Sequence, residues 1–274
     1  MGIFRVVTLG VVPLLASLTG CAALFPYSEQ AQELPEPHLI GACNPTPCIR
    51  AAIGDVPDLP EGLSPEVQEL VSSAVSAVLY APLESDEKQG NDEKLLSELV
   101  DRYEEVEEGG LSDAPIDWEI TRNATVLYQS AAVLTVEVRS EGFVGGAHGF
   151  NDRTLLTFDL RDGKRLALKD LIEPKSEGVF QGLVEAQFRR AREIPPRESL
   201  ADAGYFVKSG EPMLVPENFG ITPGGLLVQY NPYEIAPYSY GPTQIVVPTE
   251  ALAGVLKGDA KPLIEPSAQE KPKA

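Results

Sequence analysis

Two short stretches hold the residue types that could do chemistry. The first is Gly145-Gly146-Ala147-His148-Gly149, which carries one of the two histidines in the chain; the other is His38. Glycines let the backbone take positive φ and approach a neighbour closely. An imidazole held there could act as a general base or a recognition group at a strand end, oriented by Glu234 or Asp152. It could equally be a packed ring whose nitrogens satisfy carbonyls across a sharp bend. The second stretch is Asn231-Pro-Tyr-Glu-Ile-Ala-Pro-Tyr-Ser-Tyr-Gly-Pro242. Pro232, Pro237 and Pro242 fix φ and remove three backbone donors, so the segment must be a shaped loop between strands. Tyr233, Tyr238 and Tyr240 offer rigid area with a polar tip, the currency of binding surfaces. Glu234 in their midst is suited to accept backbone N–H groups and pin the loop. Ser239 and Tyr240 are the expected outermost residues. The candidate ligand-binding residues are therefore His148, Tyr233, Tyr238 and Tyr240.

Other chemistries lack their motifs. The chain has no P-loop, no Gly-x-Ser-x-Gly elbow, no His-Glu-x-x-His and no dinucleotide glycine fingerprint. No catalytic residue, metal or cofactor is assigned. The formal charge of −19 opposes nucleic-acid binding, which needs clustered Lys and Arg. The same charge draws cationic partners.

The elements that must position these residues follow from the N-terminus onward. Arg5, an apolar run from Val6 to Leu15 and a small-residue end read as a secretory signal over 1–20, too short to span a bilayer comfortably. Leu18-Thr19-Gly20-Cys21 resembles the bacterial lipobox, which implies acylation of Cys21 and a membrane anchor stable enough to hold the chain. Ala22 after the cysteine implies outer-membrane sorting in a diderm envelope. Residues 21–61 are rich in proline and acid and read as a tether, extended by on the order of 100 Å if polyproline-like. Within it, Cys43-Asn-Pro-Thr-Pro-Cys48 reads as a small disulfide loop; half a zinc site is the weaker alternative.

Ser64-Pro65 caps a helix whose apolar face is Val67, Leu70, Val71, Ala74, Val75, Val78 and Leu79. Asp92 to Glu108 repeats the pattern with an acidic outer face. From Trp118 the period becomes two, giving strands on either side of Gln129-Ser130. A strand from Thr154 to Leu160 then turns at Asp162-Gly163. Leu168 to Ile172 closes this unit. Ser176 to Arg192 reads as a helix on Val179, Phe180, Leu183, Val184 and Phe188, followed by strands at 219–222, 226–230 and 244–247, a helix at 249–256 and a loose tail over 258–274. Helix pairs with antiparallel meanders make the fold class α+β, with two closely associated subdomains, 62–148 and 149–257.

Taken in order, Phe143-Val-Gly-Gly-Ala-His-Gly149, Thr157-Phe-Asp-Leu-Arg-Asp-Gly-Lys-Arg-Leu-Ala-Leu-Lys-Asp-Leu171 and Tyr230 to Gly241 resemble the C-terminal domain family of RsiV. The segment from about Glu66 to Ser140 resembles the smaller domain that precedes it there and in PdaC-type peptidoglycan deacetylases. The resemblance implies an α+β ectodomain that binds a ligand such as lysozyme. It does not carry over anti-sigma activity, because no cytosolic sigma-binding segment or transmembrane helix is present in the sequence. Nor does it carry over deacetylation, because the catalytic domain of those enzymes is missing. The expectation is a non-enzymatic, lipid-anchored envelope protein binding lysozyme or peptidoglycan. The alternatives are a wall hydrolase using His148 with a carboxylate, and a structural envelope lipoprotein.

Overall fold

The computed structural model describes residues 38–43, 48–82, 91–109, 116–208 and 210–264. The readings of a signal segment over 1–20 and of a lipidated Cys21 lie outside the described residues. The described residues form one compact unit.

A six-stranded sheet, in the order β1 to β6, is built from His38–Cys43, Cys48–Ile53, Trp118–Gln129, Val133–Phe143, Phe150–Asp159 and Lys164–Arg165. Its ladders are antiparallel except for β2 on β3, which is parallel. A smaller antiparallel sheet comprises β7 (Phe219–Thr222), β8 (Gly225–Tyr230) and β9 (Thr243–Pro248). Helices α1 (Pro65–Leu79), α2 (Asp92–Glu108) and α4 (Glu177–Ala191) are the long ones; α3 (Leu168–Leu171), α5 (Thr249–Leu252) and α6 (Lys261–Ile264) are single turns. The mixture of helices with largely antiparallel sheets is α+β.

The helix signals act as the sequence suggests. Ser64 accepts from the Val67 N–H ahead of Pro65, and Asn91 accepts from Lys94. The far end of α1 is closed from the sheet: buried Arg122 on β3 donates to the carbonyls of Leu79 and Ala81 at 2.9 and 2.6 Å. Desolvation brings that guanidinium down to about 10, opposed by the charge of Glu98.

Several readings need correction. The span read as a tether contains β1 and β2, and Ala51 and Ile53 are fully buried in the core beneath α1 and α2. Alternation in Cys48-Ile-Arg-Ala-Ala-Ile53 is masked because Ala52 on the outer face is apolar too. The tail read as loose contains α6, whose Leu263 and Ile264 join the second core with Ala260. Val179, assigned to the buried face of its helix, is 60% exposed, and Phe180, Val184 and Phe188 do the packing. Strands β4 and β5, either side of 148/149, pair from Val133–Asp159 to Gly142–Phe150.

The two sheets meet through hydroxyls. The outer edge of β7 docks on the face of the large sheet, where Thr135 donates to the Ile221 carbonyl and accepts its N–H, and Thr157 donates to the Phe219 carbonyl. An edge strand is thereby satisfied without a ladder partner. Gly220 permits it, because a Cβ there would sit 2.7 Å from the Thr135 methyl.

The turn after β5 carries the clearest acid-sensitive pair. Burial works against ionised Asp159, but hydrogen bonds and charge from Arg161 outweigh it and hold the carboxyl below its usual range. A carboxyl depressed on folding contributes stability above its unfolded pKa and loses it as pH falls through the folded value. Arg161→Ala should therefore flatten the acid limb of a melting-temperature-versus-pH curve below about pH 4. An unchanged acid limb would remove this pair from the account.

Candidate functional site

The glycine-rich loop between β4 and β5 and the proline-rich loop between β8 and β9 meet. Trp118 seats the first: Gly145 lies over its indole at φ +87°, and a Cβ would come within 2.7 Å of Cζ2. Tyr103 of α2 packs edge-on against the same indole at 5.2 Å. The loop thus reaches out from a fixed base.

The second loop begins as a tight turn. The Glu234 N–H donates to the Asn231 carbonyl at 3.2 Å, with Pro232 second and Tyr233 third at φ +68°. That is the arrangement of a type II turn, whose third position normally takes Gly or Asn. A tyrosine there costs of order 1–3 kcal/mol, which the surroundings must hold in place. Two contacts do so. The Glu234 carboxylate accepts the Asn231 N–H at 2.8 Å, and the Asn231 side chain accepts from the Arg153 N–H and donates to its carbonyl at 2.9 and 3.1 Å. Asn218 makes the same kind of clamp, accepting from the Leu155 N–H and donating to the Arg153 carbonyl. The exposed edge of β5 is therefore closed by two asparagines, and one of them starts the turn.

The strained turn aims Tyr233 at His148. The Tyr233 hydroxyl lies 2.8 Å from His148 Nε2, and His148 Nδ1 lies 2.7 Å from the Gly149 carbonyl. A carbonyl can only accept, so Nδ1 carries a proton and faces the Gly149 carbonyl, while Nε2 pairs with the tyrosine hydroxyl. Tyr238 stacks on the imidazole with centroids 3.6 Å apart and planes at 14°. Tyr233 lies at 5.9 Å from both rings, tilted by 27° and 34°. With its hydroxyl bonded to the imidazole, Tyr233 extends the imidazole surface sideways. Tyr238 backs the imidazole. His148 is exposed, and Tyr233 is 55% exposed.

Three of the four sequence candidates thus form one aromatic platform. Tyr240 does not join it. Its ring packs edge-on against Tyr205 at 5.3 Å, its hydroxyl reaches the Ala203 carbonyl at 3.3 Å, and Gly204 leaves room for it. Its work is to hold the 199–207 segment, and Tyr240→Ala should lower stability by about 1–2 kcal/mol through lost ring packing. Capture of ligand by that variant should match the parent in the same binding assay; a selective loss of capture would return Tyr240 to the site. Cys43 and Cys48 are placed opposite one another in the β1–β2 register.

The expected orienting carboxylates do not touch His148, whose two ring nitrogens are taken by a carbonyl and a hydroxyl. Glu234 pins the loop as expected, while Ile235 and Ala236 cover the core. Desolvation raises its carboxyl above the usual range, the Asn231 N–H pulls it down, and the Asp152 charge raises it again. Desolvation also raises Asp152. Asn218, Asn231 and Tyr205 escaped the sequence reading. Asn-Pro at a turn start was the available signal for Asn231.

Fold and site together define an α+β protein with an aromatic surface built on two loops. Residues 169–250 match the family profile described as a protein of unknown function, DUF3298, so the chain carries a DUF3298 domain there. It is similar to a DUF3298 family protein from Bacteroides fragilis NCTC 9343, at 21% identity over 85% of this chain and 96% of that one, with a TM-score of 0.63. A second, from Pseudomonas aeruginosa PAO1, shows 22% identity over 84% and 97%, with a TM-score of 0.58. At these identities the likeness concerns the fold. No curated protein matches the sequence. Among the described residues, no helix is long and apolar enough to cross a membrane.

Proposed function

We propose that this chain is a non-enzymatic, lipid-anchored cell-envelope protein whose RsiV-like region binds a ligand of the wall, lysozyme or peptidoglycan. The anchor is acylated Cys21, and a Cys43–Cys48 disulfide closes the β1–β2 hairpin. One observation carries the binding reading: Tyr233 is held at positive φ so that it sits exposed beside His148 and Tyr238. Strain at an exposed side chain with no burial to reward it points from the outlier toward function. The aromatic surface supplies rigid contact area at low entropic cost, and the net charge of −19 adds long-range attraction for a basic protein such as lysozyme.

The test uses the full chain in detergent, with immobilised lysozyme and insoluble peptidoglycan as separate baits. Binding to one of them that is lost in Tyr233→Ala and kept in Tyr240→Ala supports the proposal. Retention of neither bait by the parent overturns it.

A further inference from the structure

Two carboxylates lie close to the platform along the chain, and their chemistry narrows the ligand. Glu234 follows Tyr233 directly in the turn, and Asp152 lies three residues beyond Gly149, whose carbonyl fixes the His148 ring. The two carboxylates are near enough for the charge of Asp152 to disfavour ionised Glu234. One oxygen of Glu234 is held by the Asn231 N–H, which orients the group without supplying a counter-charge. No lysine or arginine side chain pairs with either carboxylate in a salt bridge among the described residues. The site therefore combines a flat aromatic surface with a local excess of negative charge.

A ligand that fits both features needs a flat apolar face and a positive group at its edge. The C–H face of a pyranose ring lies on stacked aromatic side chains, and its hydroxyls reach acceptors at the rim. An ammonium substituent meets the carboxylates through charge-assisted hydrogen bonds and relieves their repulsion. Anionic polymers are disfavoured by the same carboxylates and by the −19 charge of the chain.

We infer that the platform of Tyr233, His148 and Tyr238 takes an amino-sugar residue bearing a free amine, so that the ligand class of this site is a partly de-N-acetylated glycan. The inference rests on the binding reading above and specifies the chemistry of its ligand. It assigns roles within the site: His148 and Tyr233 supply the exposed surface, Tyr238 holds the imidazole from behind, and Glu234 with Asp152 select the amine.

The experiment measures binding of three tetrasaccharide probes to the full chain by calorimetry at pH 7: a glucosamine oligomer, an N-acetylglucosamine oligomer and a neutral glucose oligomer. The glucosamine oligomer should bind at least about tenfold more tightly than either other probe, the equivalent of one charge-assisted contact. Tyr238→Ala should abolish binding of that probe. The double variant Glu234→Gln with Asp152→Asn should bring the glucosamine and N-acetylglucosamine probes to equal affinity, since glutamine can still accept the Asn231 N–H and keep the turn. Because desolvation and Asp152 hold Glu234 above the ordinary carboxylate range, the preference for the amine should fall off at a higher pH than an isolated glutamate would give.

Equal affinity for the two hexosamine probes in the parent overturns the inference. Amine binding that persists in Tyr238→Ala also overturns it, by showing only general attraction to an acidic protein. Failure of all three probes while Tyr233-dependent lysozyme capture survives overturns the amino-sugar assignment and leaves the binding reading standing. Failure of the probes together with lysozyme and peptidoglycan overturns both.

Discussion

Tyr238→Ala should reduce capture of the wall ligand at least about thirtyfold, the loss of one aromatic hot spot of 2 kcal/mol or more. Its ring lies 3.6 Å from the imidazole it backs, so removal takes away the support that holds the imidazole face toward ligand. Stability should change far less. The stacking contributes about 0.5–1.5 kcal/mol, which lowers the melting temperature of a domain of this size by no more than about 5 °C. Paired binding and melting measurements on the variant separate the two effects. A melting temperature depressed by tens of degrees with capture intact would make Tyr238 a core residue.

Glu137→Ala should produce the larger loss of stability. Glu137 is 1% exposed between the two sheets, bonded to Arg139 at 2.5 Å and 3.6 Å from Arg153. Arg139 and Arg153 face each other directly in the β4–β5 ladder. Like charges opposite one another destabilise a pair of strands. Glu137 neutralises them, and its loss leaves two guanidinium groups facing one another under the small sheet. Removing one partner of a buried ion pair costs roughly 3–5 kcal/mol. The side chains of Arg139 and Arg153 are 37% and 22% exposed and can turn toward water, which places the cost near the lower figure. A fall of about 6–12 °C follows at ~2–4 °C per kcal/mol. Glu137→Gln, which keeps an acceptor, should fall between parent and alanine variant. Because Arg153 is also the residue clamped by Asn231, the alanine variant should weaken capture too. Calorimetric melting of the three proteins decides this, and equal melting temperatures would show the ion pair to be dispensable.

These two variants mark the divide between what was legible in the sequence and what was not. Tyr238 stood out by type and setting: an aromatic between prolines must lie in a shaped loop, and shaped loops present side chains. His148 stood out through its glycines. Helices α1 and α2 were legible because capping residues and apolar spacing agree at Ser64 and Asn91. Glu137 was invisible. In Thr135-Val-Glu-Val-Arg139 the alternation is regular, and period two assigns the polar residues to water. Both faces of β4 are covered here, one by α1 and the other by β7, so Thr135 and Glu137 become the inter-sheet contact. Tertiary covering of a polar face leaves no local signature. The β1–β2 hairpin was missed for a related reason: Ala51-Ala52 is apolar on both faces, and its partner strand lies some seventy residues away, as Ile49 pairs with Trp118. Tyr240 shows the limit from the other side. It shares the loop and the residue type of Tyr238, and only the position of Tyr205 separates a packing role from a contact role.

The two histidines allow a direct test of the platform. In the full chain labelled selectively at histidine, the ring resonances of His38 and His148 are assigned by a His148→Gln variant, and solubilised peptidoglycan fragments or lysozyme are then titrated in. Ligand seated on the platform covers a ring whose Nε2 pairs with the Tyr233 hydroxyl and whose face rests on Tyr238. The account predicts that the His148 ring signals shift and saturate at the ligand concentration that saturates capture, while those of His38 stay in place. Saturating capture with an unmoved His148 signal would contradict the claim that the platform is the contact surface.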